Sequence, residues 1–122
     1  MPKFTEMDDR VTLFAQMEGE GGPVILINQF NVAPEGVEQL LRAWTEDAAF
    51  MKRQSGFIST QLHRGIAGSC VFINYAVWES VADFKRAFNH PEFQSHLKSY
   101  PPSTVASPHL FTKLAVPGIC VA

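Results

Sequence analysis

Apolar and polar positions alternate along the chain in two periods, and the switches between them mark the elements. From Val24 to Val32 apolar and β-branched residues run almost without a break and stop before Ala33-Pro34, which predicts a strand. Pro34 suits the first turn of a helix. Val37, Leu40, Leu41, Trp44, Ala48 and Met51 then recur at helical spacing on one face, to about Gln54. Lys52 and Arg53 complement the C-terminal dipole of that helix, and Gly56 suits its stop. Phe57–Gly65 predicts a second strand, Gly65-Ile66-Ala67-Gly68-Ser69 a hairpin loop and Cys70–Glu79 a third strand. Ser80 and Asp83 have the spacing of a helix-capping pair. A helix follows over Val81–Phe88, with Val81, Phe84 and Phe88 on one face. His90 is read as the cap of a short helix that Pro91 opens and Phe93 and Leu97 anchor, ending at Pro101-Pro102. His109–Val116 predicts the fourth strand.

The order β-α-β-β-α-β is that of an α+β, ferredoxin-like fold: an antiparallel sheet with its helices on one face. Upstream, Val11, Leu13, Ala15 and Met17 alternate with other residues and predict a short additional strand, before Gly19-Glu20-Gly21-Gly22-Pro23 breaks regular structure. The expected organisation is an N-terminal extension and linker over 1–22, one domain over 23–117 and a tail over 118–122.

The strand faces add a partner to this picture. Val24, Leu26, Asn28, Phe30 and Val32 point one way, Ile25, Ile27, Gln29 and Asn31 the other. In the third strand Cys70, Phe72, Asn74, Ala76 and Trp78 oppose Val71, Ile73, Tyr75 and Val77. Both faces are largely apolar, whereas a sheet with one wet face alternates. Helices cover only one face, so the other is expected to bury itself against a second copy in a homodimer.

Composition sharpens this. The 122 residues suffice for one domain with its own core. They are 46% hydrophobic and only 18% charged, below the roughly 25% usual for soluble domains, which favours an oligomer. The net charge of −2 and the lack of any basic run beyond Lys52-Arg53 argue against nucleic acid as a partner. No apolar run has the length of a signal peptide or membrane span, so a cytoplasmic protein without membrane contact is expected. Cys70 and Cys120 make neither a disulfide framework nor a metal site. Zinc-ligand spacing, a phosphate-binding glycine loop and a Gly-x-Ser-x-Gly elbow are all missing.

The run Lys52-Arg53-Gln54-Ser55-Gly56-Phe57-Ile58-Ser59-Thr60-Gln61-Leu62-His63, then Ala76-Val77-Trp78-Glu79-Ser80, then Phe84, His90-Pro91-Glu92-Phe93 and Pro108-His109 resembles the antibiotic biosynthesis monooxygenase family. The resemblance runs from Val24 to Val116. It implies a dimeric α/β barrel with a pocket between sheet and helices. One branch of the family oxidises anthrone-like polycyclic phenols with molecular oxygen and no metal or flavin; another binds and degrades heme. The heme branch carries an Asn, a Trp and an iron-ligating His. Aligned on Val77-Trp78-Glu79-Ser80, these positions hold Asn28, Ala87 and Leu97, with His96 one residue from the last. One helical residue turns a side chain by about 100°.

Asn28, an amide on an apolar strand face, is the leading catalytic candidate, as a hydrogen-bond donor to a carbonyl or enolate. His63 and His96 are the candidate proton acceptors. Phe30, Trp44, Asn74, Trp78 and Arg64 are expected to bind substrate. Three readings follow: a cofactor-independent monooxygenase acting on an aromatic, anthrone- or quinol-like molecule; a heme-binding or heme-degrading protein; and a non-catalytic small-molecule-binding dimer. The first is preferred, with no metal and no cofactor, heme being the one cofactor left open.

Overall fold

The computed structural model describes residues 1–122. Five strands form one sheet: β1 (Lys3–Phe4), β2 (Val24–Asn31), β3 (Phe57–Arg64), β4 (Val71–Trp78) and β5 (Val105–Phe111). Four helices accompany it: α1 (Leu13–Met17), α2 (Val37–Lys52), α3 (Val81–Phe88) and α4 (Pro91–His96). Single 3-10 turns precede α2 at Pro34–Gly36 and follow α4 at Leu97–Ser99. The strand order is β1-β5-β2-β4-β3. Strands β2 to β5 pair antiparallel in the ferredoxin-like arrangement that the pattern predicted; β1 adds a parallel pair on β5, so the sheet is mixed. The sheet is open rather than closed into a barrel.

Local chemistry explains the element boundaries. Ser80 Oγ accepts the Asp83 N–H while its hydroxyl donates to Asp83 Oδ2 at 2.7 Å, so the capping pair starts α3 as expected. These bonds and the Arg86 guanidinium hold the Asp83 carboxyl below the usual carboxylate range. Gly56 is required beside this cap. Its φ is +86°, and a Cβ there would lie 2.1 Å from Asp83 Cγ. His90 Nδ1 accepts the Glu92 N–H at 3.0 Å and caps α4.

Three expectations are corrected. Val11–Met17 is not a strand: Thr12 caps a single helical turn through the Ala15 N–H, and Leu13 and Met17, one turn apart, both enter the core. Alternation over so few residues also satisfies i, i+4 spacing. The fourth strand runs over Val105–Phe111 rather than 109–116, and residues 112–122 lie exposed beyond it. Pro108 obscured it, because proline has no N–H for a ladder. Ala106 and Leu110 direct their backbone groups to the outer edge of β5, toward Thr5 and Gln16. By the two-residue alternation Pro108 points the same way, where β2 asks nothing of it. Finally, the buried stripe of α2 is Leu40, Ala43, Asp47 and Phe50, with Val37, Trp44 and Met51 at its margin and Leu41 exposed.

The N-terminal segment closes the β5 edge. The Gln16 carboxamide both donates to the Leu110 carbonyl at 3.0 Å and accepts the Leu110 N–H at 2.9 Å, replacing a neighbouring strand. Gln16 Nε2 also reaches His109 Nε2 at 3.1 Å, which gives His109 a structural partner. The core lies between the inner sheet face and α2–α4, built on Leu26, Phe30, Phe72, Ala76, Trp78, Leu40, Phe50 and Phe84.

Candidate active site

Between the inner sheet face and the helices lies a cavity of about 690 Å³, part of it open to solvent. Fifteen of its 21 lining residues are hydrophobic. Trp44, Ala48 and Met51 of α2 form one wall; Leu26, Phe30, Ala76 and Trp78 of the sheet form the opposite one.

The polar groups in this lining are few and largely uncommitted. Asn28 and Asn74 are cross-strand partners on β2 and β4, so their side chains emerge side by side. Asn74 Oδ1 accepts the Thr60 hydroxyl at 2.5 Å, which leaves the Asn74 amide N–H groups as donors. Asn28 Oδ1 has no partner, nor does the indole Nε1 of Trp78, both being buried. Such groups are costly unless something else satisfies them. The strand alternation that puts Asn28, Asn74 and Trp78 on the apolar inner face places all three in the lining.

The helix side contributes Asp47 and Tyr100. Asp47 lies on the buried stripe of α2, 6% exposed. Its Oδ2 accepts the Tyr100 hydroxyl at 2.6 Å. His96 Nδ1 approaches Oδ1 to 3.4 Å, within ion-pair reach but without hydrogen-bond geometry. Burial pushes the Asp47 carboxyl up to about 6, against the opposing pull of the Tyr100 hydrogen bond and of His96. Burial and the Asp47 charge push the Tyr100 phenol up. The sequence pattern offered one clue to Asp47. It stands three residues after Trp44 and seven after Leu40, inside an apolar stripe.

Of the residues expected at the site, the fold brings Asn28, Phe30, Trp44, Asn74 and Trp78 to the cavity. It does not bring His63, Arg64 or His96 into the lining. His63 alternates with Leu62 and faces the outer side of the sheet, its Nδ1 3.3 Å from the Ile73 carbonyl. Arg64, at the exposed end of β3, donates to the Ser69 carbonyl and covers the Phe72 ring at 5.2 Å. His96 lies outside the lining with its Nδ1 3.4 Å from Asp47 Oδ1, while its neighbour Leu97 lines the cavity.

The profile of the family described as antibiotic biosynthesis monooxygenase matches residues 23–99, more than half of the chain. The chain belongs to the antibiotic biosynthesis monooxygenase family. Tetracenomycin-F1 monooxygenase of Streptomyces glaucescens is 39% identical over 74 residues, a match covering 58% of this chain and 63% of that protein. The chain therefore spans under two thirds of that relative's length. The crystal structure of SnoaB, a cofactor-independent oxygenase from Streptomyces nogalater, is similar at a TM-score of 0.68 and 28% identity, over 81% of this chain and 97% of that one. A Shewanella loihica PV-4 protein matches at a TM-score of 0.68 and 32% identity, over 80% of this chain and 100% of its own. These matches agree with the family and fold that the sequence motifs implied.

Heme, used by one branch of the antibiotic biosynthesis monooxygenase family, fits this cavity poorly. Its lining contains no histidine or cysteine to ligate iron. The one phenol, Tyr100, is engaged by Asp47, and Ala87 stands where that branch has an indole.

Proposed function

We propose that the protein is a cofactor-independent monooxygenase that oxidises a flat polycyclic phenol of the anthrone or quinol type with molecular oxygen. The observation that carries this reading is the set of uncommitted donors from Asn28, Asn74 and Trp78 in an otherwise apolar cavity. The names of the Streptomyces relatives support the reaction class. An anthrone needs no external electron donor. Loss of a ring proton gives an enolate rich enough to react with oxygen directly. One oxygen atom becomes the new carbonyl, and the other leaves as water with the two hydrogens of the methylene group. The apolar walls desolvate the ring system, and the amide and indole N–H groups steady the oxyanion as charge develops.

Dithranol, a three-ring anthrone, is a suitable probe in an oxygen electrode. Catalytic amounts of protein are expected to consume one oxygen per dithranol above the autoxidation blank, unaffected by a metal chelator. Quenching of tryptophan fluorescence by dithranol without added oxygen uptake would replace this reading with that of a non-catalytic binding protein.

We also infer that the active form is a homodimer joined across the outer sheet face, where Ile27, Ile73, Tyr75, Val77 and Phe111 form an apolar surface that remains at least partly exposed. The chain is expected to sediment at twice its 13.6 kDa mass, and Val77→Asp is expected to yield monomers with an unchanged circular dichroism spectrum. Monomeric wild type at micromolar concentration would reject the dimer. Cys70 and Cys120 are both free, which supports a reducing, cytoplasmic setting.

A further inference from the structure

A site that oxidises an anthrone must first take a proton from it, and the cavity offers few groups to do so. Among its 21 lining residues Asp47 is the one carboxylate, and histidine, lysine and cysteine are missing. Tyr100, the other titratable group there, has its hydroxyl proton directed at Asp47 and its phenol pushed up. His63 and His96, the bases expected from sequence, lie outside the lining.

Asp47 is also unexplained by packing. A carboxylate on the buried stripe of a helix costs stability unless it is fully paired. One oxygen, Oδ1, accepts no hydrogen bond, and the nearest imidazole stands 3.4 Å away in a geometry that does not satisfy it. An apolar residue would fill the same place between Ala43 and Phe50 at less cost.

We infer that Asp47 is the proton acceptor of this site, with Tyr100 and His96 as the residues that position it. The inference rests on the oxygenase reading above, which supplies the need for a base. In the first step a methylene C–H bond of the anthrone breaks. Its proton goes to the Asp47 carboxylate, and its electron pair stays on the ring system as the enolate, held by the donors of Asn28, Asn74 and Trp78. Oxygen is the oxidant: it adds at that carbon, and the resulting peroxide anion takes the proton back from Asp47. The second C–H bond then breaks as the O–O bond does, the carbonyl forms, and hydroxide leaves with that second proton as water.

The electrostatics suit the role. The groups around Asp47 are Tyr100, which donates to it, His96 from α4, and Glu46 on its own helix. Burial raises its carboxyl from 3.8 to about 6, while Tyr100 and His96 oppose the rise. Asp47 is therefore ionised at neutral pH yet basic enough to hold a proton for one step. Because the folded-state value is raised, the folded protein binds this proton more tightly than the unfolded chain. The stability it lends at low pH is lost as pH climbs from about 4 to 6. Asp47→Asn removes a buried charge and keeps the shape, so it is expected to fold.

The test uses dithranol with the full-length protein. Under nitrogen, wild type is expected to generate the anion absorption of bound dithranol, and Asp47→Asn to bind dithranol without it. Under air, Asp47→Asn is expected to lose about 100-fold or more in kcat, together with the acidic limb of the pH profile, which in wild type rises through about pH 6. Tyr100→Phe and His96→Ala each remove a group that lowers the Asp47 value, so both are expected to move that limb to higher pH. A merely structural role would leave it in place. An anion band in wild type without oxygen uptake would sink the oxygenase reading and keep Asp47 as the base. An equal band in Asp47→Asn, or none in wild type, would overturn the inference.

Discussion

Trp78→Ala is expected to remove about 3–5 kcal/mol of stability, the range for truncating a large buried aromatic residue. Trp78 is 1% exposed. Its indole meets the edge of Phe57 at 5.5 Å and of Phe84 at 5.9 Å. Phe84 continues to Phe88 at 5.6 Å, and Phe88 to Phe93 at 5.4 Å. Removing Trp78 therefore opens a void at the join between the β3–β4 hairpin and the helices α3 and α4, where the sheet end cannot collapse without moving the ladder. A domain of this size holds only about 5–15 kcal/mol in total, so the variant sits near the threshold of folding. The measurement is the urea midpoint, with an unchanged slope if the loss is purely energetic. Trp44→Ala provides the contrast. Trp44 is only partly buried against the core and is expected to cost less than half as much. Equal losses for the two would mean that the aromatic chain through Trp78 does not join the layers as described.

That chain of rings also shows how far sequence carries. The strands β2, β3 and β4, the cap at Ser80 and the helix α3 were legible because each depends on neighbours within a few residues. The same holds for the inward set Leu26, Asn28 and Phe30, fixed by alternation once β2 was recognised. What failed depended on partners far along the chain. Leu13–Met17 turns once as a helix that buries Leu13 and Met17 in the core, and its Gln16 meets Leu110, 94 residues away. Pro108 sits inside β5 because the outer edge of that strand lacks a ladder there, a fact about topology and not about residues 105–111. Asp47 was hidden for a related reason. Its surroundings are set by Tyr100, 53 residues away, and by His96, whose Nδ1 lies 3.4 Å from its Oδ1. His63 and Arg64 have suitable side-chain chemistry, but strand alternation for His63, and the exposed hairpin end for Arg64, place them outside the cavity lining.

Asn74→Ala is expected to lower kcat with dithranol by about 100- to 1,000-fold, the cost of losing one preorganised oxyanion donor in a desolvated site. The argument rests on what holds the amide. Thr60 ties Asn74 Oδ1 from the neighbouring strand, so the amide donor is aimed before substrate arrives and needs no reorganisation as charge appears. If its bond strengthens only when the enolate and peroxide carry charge, kcat and kcat/KM fall together and KM stays near its wild-type value. Thr60→Val keeps the donor but frees its orientation. It is expected to lose roughly 10-fold, with much of the rate restored by neither higher substrate nor higher pH. Asn28→Ala removes the cross-strand neighbour and is expected to resemble Asn74→Ala. The double variant should lose less than the product of the two, because both donors act on the same oxyanion. The fold tolerates these changes, since Asn74 contributes a single side-chain hydrogen bond and Asn28 contributes none to the protein. A full rate in Asn74→Ala would separate the amides from the chemistry. It would leave the apolar walls and Asp47 to account for any turnover, and would reduce Asn28 and Asn74 to polar residues that merely wet the cavity.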